Sequence, residues 1–285
     1  MTGTTSTEAK RPGSDEVRTV TALLTEPESV VTCLECAKAA ASPLKAVLRA
    51  AHVGFDPATA AVSAEELDIQ FLRDREEGSA DLRADRIRRT FEAWVASAGV
   101  PVSWEDDPGD IARNVAEEAT ESDLLVIGRP LHLDGRDALH AALFRSQKLV
   151  LLAPPPRPGR RPFGRHMVIG WKPGEHAIRA IEATLPWLRR AETISVLSIA
   201  KAGGDSYGPS AKDLLARFGL SAAVWVLERN DQQTVGNQLL RKCAEIGADS
   251  LVIGAYHHGA FWESILGGVT RDVIAGASIP VFLKR

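Results

Sequence analysis

The densest cluster of residues suited to chemistry is the run Gly254-Ala-Tyr-His-His-Gly-Ala-Phe-Trp-Glu-Ser-Ile-Leu-Gly267-Gly268-Val269-Thr270-Arg271. It follows a short apolar run that ends in glycine, so it begins at the carboxyl end of a strand, where open α/β sheets place their ligands. Gly254 lets the chain turn sharply. Gly267 and Gly268 remove side chains just before a helical stretch, Val269 to Ile274. Bare backbone N–H groups at such a helix start, with the partial positive charge of its N-terminus, suit a phosphate. The Thr270 hydroxyl would add one hydrogen bond. The competing reading is that the glycines only allow loop and helix to pack closely. His257 and His258 adjoin the same turn. As sequence neighbours they point in different directions and cannot act as a geometric pair. A ligand-contacting or pH-sensing histidine stands against a loop histidine bonded to backbone or water. Glu263 and Asp272 are the carboxylates nearest the turn, and nucleotide hydrolysis there would need one as base and one as metal ligand.

Smaller signals lie elsewhere. Cys33-Leu-Glu-Cys36 puts two thiols on one helical face, a spacing that redox or metal chemistry uses. No second cysteine pair exists to complete a four-thiolate site, and an Ala-rich surrounding favours buried, inert thiols. Phe261, Trp262, Trp171 and Trp187 read as core or interface aromatics. Asp205 and Tyr207 lie in a Gly-rich loop whose role nothing fixes. The Walker A loop, the dinucleotide G-x-G-x-x-G, the G-x-S-x-G elbow and H-E-x-x-H are all absent, which weighs against kinase, dehydrogenase, α/β-hydrolase and zincin chemistry.

These residues need a scaffold, and the strongest structural signal is repetition. Asp123-Leu-Leu-Val-Ile-Gly128 is echoed by Asp249-Ser-Leu-Val-Ile-Gly254. Short apolar β-branched runs of this kind are buried parallel strands with helices over both sheet faces. The 285 residues favour two domains. A stiff Pro-rich linker at 154–164 divides them, with five prolines between Pro154 and Pro162. The first domain spans 17–153 and the second 165–285, while 1–16 reads as a disordered polar tail. Strands are expected near Val17–Leu24, Leu44–Val53, Val100–Trp104, Asp123–Gly128 and Lys148–Ala153. In the second half they are expected at His166–Trp171, Thr193–Ile199, Ala222–Leu227, Asp249–Gly254 and Pro280–Leu283. Strict alternation with helices implies an α/β class, doubly wound and mostly parallel. Asp56–Gly78 is an acidic insertion. The helix after it, Asp81–Ala98, carries Arg83, Arg86 and Arg89 on a face read as solvated rather than nucleic-acid-binding.

Charge is balanced, 34 basic against 37 acidic residues, which argues against nucleic-acid or membrane-surface partners. No apolar run approaches the ~18 residues of a membrane span. The N-terminus lacks a signal-peptide core, so a cytoplasmic setting is expected.

The paired D-x-L-V-I-G strands and the run ending L-G-G-V-T-R-D-V before I-P-V-F-L resemble the universal stress protein family in its tandem, two-domain form. The resemblance implies five-stranded Rossmann-like sheets of order 3-2-1-4-5. It also implies stress-response or signalling rather than catalysis, and ATP as the ligand, held by G-x-x-G-x9-G-[ST] after the fourth strand. Gly254 and Gly267 match that motif. His257 stands at its second glycine and Gly268 at its Ser/Thr. Trp171-Lys172-Pro173-Gly174 occupies the region of the family's adenine-contacting Asp. The cofactor-binding residues expected are therefore Gly254, His257, Gly267, Gly268 and Thr270, with no catalytic or metal-binding residues. The first domain, with Arg129-Pro-Leu-His after Gly128, is expected to hold no nucleotide. The two halves are expected to pack as an intrachain pseudo-dimer through their last strands, and a further homodimer is left open. A ligand-free interaction scaffold, or a nucleotide hydrolase, is the alternative function.

Overall fold

The computed structural model describes residues 17–56, 64–106, 109–156, 163–200, 207–255 and 268–285. For 64–69 it describes the backbone alone. In the first half the strands are β1 (Thr19–Leu24), β2 (Val47–His52), β3 (Val102–Asp106), β4 (Leu124–Gly128) and β5 (Leu149–Ala153). The helices are α1 (Val30–Ala41), α2 (Ala64–Glu77), α3 (Ala80–Ala98), α4 (Ile111–Glu121) and α5 (Leu133–Phe144). In the second half the strands are β6 (His166–Gly170), β7 (Thr193–Ala200), β8 (Ala223–Glu228), β9 (Ser250–Gly254) and β10 (Val281–Lys284). Its described helices are α6 (Glu175–Leu188), α7 (Gly208–Arg217), α8 (Val235–Glu245) and α9 (Gly268–Gly276).

The repeated apolar runs are the sheet's interior. Every residue of β4 and of β9 is buried. The aspartate that precedes each run anchors it. Asp123 Oδ2 accepts the backbone N–H groups of Arg18 at 2.7 Å and Thr19 at 3.1 Å. Asp249 Oδ2 accepts those of Arg165 and His166, both at 3.1 Å. A carboxylate bound to two backbone donors at the start of β1 or β6 sets the register of the central strand pair, so the repeated Asp is an architectural residue.

The class is the expected one, α/β and mostly parallel. Each half has the order 3-2-1-4-5, but the two sheets are continuous: β3-β2-β1-β4-β5-β10-β9-β6-β7-β8, ten strands in one sheet. The join is the antiparallel pair β5–β10, with Leu152 opposite Val281 and Val150 opposite Leu283. Alternating side chains along the strands feed two cores. One lies under α1, α3, α6 and α7. The other lies under α4, α5, α8 and α9. Trp187 of α6 crosses from one half to the other. Its indole N–H donates to the Ala40 carbonyl of α1 at 3.0 Å, and its ring lies 5.1 Å from that of Phe282.

The structure adds to one expectation and corrects two. The acidic insertion contains a helix, α2, whose described side chains tie it to its neighbours through charge. Arg73 bridges Glu77 and, at 2.5 Å, Asp134 of α5. The basic face of α3 is not uniformly solvated: Arg83 is only 6% exposed, because α2 covers it and supplies Asp74 at 3.0 Å. Arg86 caps the end of α2 through the Glu77 carbonyl. Strand starts also shift inward. A 3-10 turn over Ser42–Leu44 delays β2 to Val47, since Lys45 turns the chain through the left-handed region (φ 54°).

Candidate functional site

The second-half site is framed by two glycines with different reasons for being glycine. Gly254 ends β9 with its Cα pressed on the first turn of α6. A Cβ there would stand 2.7 Å from the His176 carbonyl carbon and 2.9 Å from the Ala177 nitrogen. Close packing therefore requires glycine at 254 whatever else it does. Gly268 opens α9 and, among the described residues, has no heavy atom within 4 Å of where a Cβ would sit. No packing among the described residues accounts for a glycine there. Thr270, in the same first turn, is buried to 1% exposure. His257 and Gly267 lie outside the described residues, as do His258, Phe261, Trp262, Glu263 and Asp205. Of the five expected ligand residues the structure thus places Gly254, Gly268 and Thr270, at the two ends of the 256–267 segment. Asp272 turns to the α8 side, where its Cβ would come within 2.5 Å of a Cβ at Gly236. Trp171, just past β6, is buried, with its indole N–H on Ser210 Oγ at 3.1 Å.

The first half shows what the same place looks like when it is filled from within. Glu26, beyond the end of β1, is 2% exposed. Its carboxylate accepts the backbone N–H of Leu131 at 3.0 and 3.1 Å and of His132 at 2.7 Å. Those amides lead into α5, so the helix start that could take an external anion holds the chain's own carboxylate. Gly135 makes the room, since a Cβ there would lie 2.3 Å from Glu26 Oε1. Burial raises the Glu26 pKa, opposed by the His132 and Leu131 N–H groups.

Sequence reasoning missed Glu26. The paired anchors now align the halves: Thr19 and His166 are in step, and counting forward sets Thr25-Glu26 against Lys172-Pro173. Counting from Asp123 and Asp249 sets Leu131 and His132 against His257 and His258. By this count a proline stands where the first half has Glu26, with a lysine beside it.

The thiols are structural. Cys33 and Cys36 are both buried in α1, and Cys33 Sγ contacts the Leu23 and Val126 carbonyls at 3.6 and 3.4 Å. Burial pushes the Cys33 thiol up to about 12 and raises Cys36 as well, the reverse of an activated thiolate. Among the described residues no group of three His, Cys, Asp or Glu could hold a metal ion. No helix among them is long and apolar enough to cross a membrane.

No family model matches the chain, and no curated protein matches its sequence. Solved structures match its fold from end to end. A universal stress protein from Archaeoglobus fulgidus superposes with a TM-score of 0.62 at 15% identity, over 95% of this chain and 97% of that one. A structure from Pseudomonas aeruginosa provisionally assigned to the same class gives a TM-score of 0.55 at 14% identity, covering 95% and 94%. A functionally unknown protein from the same organism gives 0.56 at 16% identity, covering 95% and 93%. The chain has the fold of the universal stress proteins, carried through both of its halves.

Proposed function

We propose that this chain is a cytoplasmic stress-response regulator of the universal stress type that binds one phosphorylated small molecule, an adenine nucleotide, in its second half. The observation that supports it is the difference between the halves. Glu26 occupies the backbone amides that lead into α5, whereas Pro173 stands in step with it in the other half beside Lys172, and Gly268 at the start of α9 has no described heavy atom within 4 Å of its Cβ position. An anion is repelled by the first arrangement and favoured by the second. In this reading Gly254, His257, Gly267, Gly268 and Thr270 border the phosphates, with the His257 imidazole donating where other family members have glycine. The paired halves form an internal counterpart of a dimer. Binding acts by stabilising one arrangement of the segment between β9 and α9, through differential affinity. The chain is read as a binder and not an enzyme, because Asp272 is turned towards α8. Trp171, which fills part of the region beyond β6, favours the second reading, a scaffold without a ligand.

Native mass spectrometry of the purified chain, with and without magnesium ATP, tests this. One nucleotide per chain is expected, lost in Gly268→Val with the melting temperature unchanged, because the open side of Gly268 accepts a side chain. A bare chain at millimolar ATP overturns the nucleotide reading and leaves the scaffold.

A further inference from the structure

The ten-stranded sheet ends in two edges, β3 and β8, and the chain treats them differently. An edge strand carries a row of backbone donors and acceptors that another chain can pair with, and proteins blunt it with proline, charge or a cover. The β3 edge has all three. Pro101 precedes it, Glu105 and Asp106 occupy its last two positions, and the Arg88 guanidinium lies 4.8 Å from the Trp104 ring. The β8 edge, Ala223-Val-Trp-Val-Leu-Glu228, has no proline and no charge before its last residue. Two of its apolar side chains stand in the open, Trp225 at 41% and Val226 at 45% exposure.

Among the described residues β8 pairs with β7 alone. The register shows which backbone groups are spent. The Arg229 N–H donates to the Ala200 carbonyl of β7, and backbone groups alternate sides along a strand. Trp225 and Leu227 therefore face β7, while Val224, Val226 and Glu228 turn their N–H and C=O groups outward. Side chains alternate between the sheet faces. Val224 packs on the core under α7, which puts Glu228 on that face. Trp225 lies on the other face, with the Lys242 ammonium group of α8 4.6 Å from its ring. Glu245 pairs that lysine at 3.2 Å, so the charge beside the ring is balanced.

Such a strand is its own complement. A second copy, turned about a two-fold axis that passes beside Trp225 and runs perpendicular to the sheet, sets Val224 against Val226 as hydrogen-bonded pairs. Trp225 then meets its own equivalent as the central non-hydrogen-bonded pair, where cross-strand side chains come closest. No like charges stand opposite one another. Glu228 falls against Ala222 of the second copy, at the end of the strand that follows α7. The exposed Arg217 closes α7 at that same end, so a carboxylate of each copy meets a basic helix end of the other. The chain already closes one pair of like edges in this antiparallel manner, β5 on β10. We propose that β8 is a second such edge and that two copies of the chain pair through it. The proposal does not rest on the nucleotide reading.

Sedimentation equilibrium of the full chain over a range of micromolar concentrations tests this. A monomer–dimer equilibrium is expected. Trp225→Lys sets like charges against each other on the axis and is expected to weaken the dimer roughly tenfold or more. Trp225→Glu alone should do the same, whereas an equal mixture of the two variants should restore pairing, which unfolded variants could not do. Val226→Pro removes an outward N–H at a place where edge strands accept proline, and is expected to weaken the dimer likewise. Ser103→Lys, on the β3 edge, is expected to leave it intact. The proposal is overturned if the chain is monomeric throughout, the outcome expected of an edge that instead takes an extended peptide of another protein. It is equally overturned if the dimer survives Trp225→Lys and Val226→Pro, if the mixture fails to pair while each variant melts as the parent does, or if Ser103→Lys dissociates the dimer.

Discussion

Glu26 is pulled in two directions. Burial opposes its charge, and two backbone amides favour it. The net result is a pKa above the ordinary 4.5, so the folded protein binds this proton more tightly than the unfolded chain does. The stability contributed by that proton is fully present below about pH 4.5 and is lost as pH rises through the raised folded value. Glu26→Gln should therefore flatten the stability curve over that range, read as urea midpoints at stepped pH. An unchanged slope would show that the proton is not linked to folding. Nothing in the sequence marks Glu26, since its partners lie 105 and 106 residues away. Asp123 and Asp249 were visible as a repeat, yet their role as backbone anchors emerges only once β1 and β6 are placed beside them. Cys33 and Cys36 illustrate the opposite case: a spacing that suggests reactivity, cancelled by burial.

At the level of elements, apolar β-branched runs announced the central strands well, because a strand covered on both faces has no polar alternative. The insertion helix α2 was not legible. The contacts of its described side chains are ion pairs to α3 and α5, which leave no apolar signal to read. The phosphate-loop reading was legible as a pair of glycines, but only the structure separates them. Gly254→Ala should destabilise the protein by about 1–3 kcal/mol, because the added methyl group meets the α6 backbone. Gly268→Ala should be neutral or stabilising by up to ~1 kcal/mol, since it only stiffens the unfolded chain. Parallel chemical denaturation of the two variants checks this. Equal destabilisation would mean that the open side of Gly268 is closed in solution.

The whole molecule is one continuous sheet whose halves share a boundary of main-chain bonds and a tryptophan. The tandem architecture and the order within each half were legible from the repeat and the resemblance it carries. The Trp187 bridge was not, because a tryptophan on the apolar face of a helix reads the same whether it packs within one half or across two. Trp187→Ala removes a buried ring and its hydrogen bond to Ala40, and should cost about 3–5 kcal/mol. The loss should lower the stability of both halves together. Far-ultraviolet circular dichroism and the fluorescence of the remaining tryptophans should then give one coincident transition. Two separated transitions in the unsubstituted chain would show that the halves unfold independently.

The β5–β10 pairing also sets a timetable for synthesis. Leu149–Ala153 leaves the ribosome well before Val281–Lys284. At ~5–20 residues per second, a first half that folds on emergence waits roughly ten seconds with a bare apolar strand at its rim. Such a rim invites pairing with neighbouring nascent chains. The strand is short, and Pro154, Pro155 and Pro156 follow it at once, residues that cannot donate to a growing ladder. The proline run that divides the repeats in sequence thereby acts as a temporary guard on the edge that the last strand eventually closes.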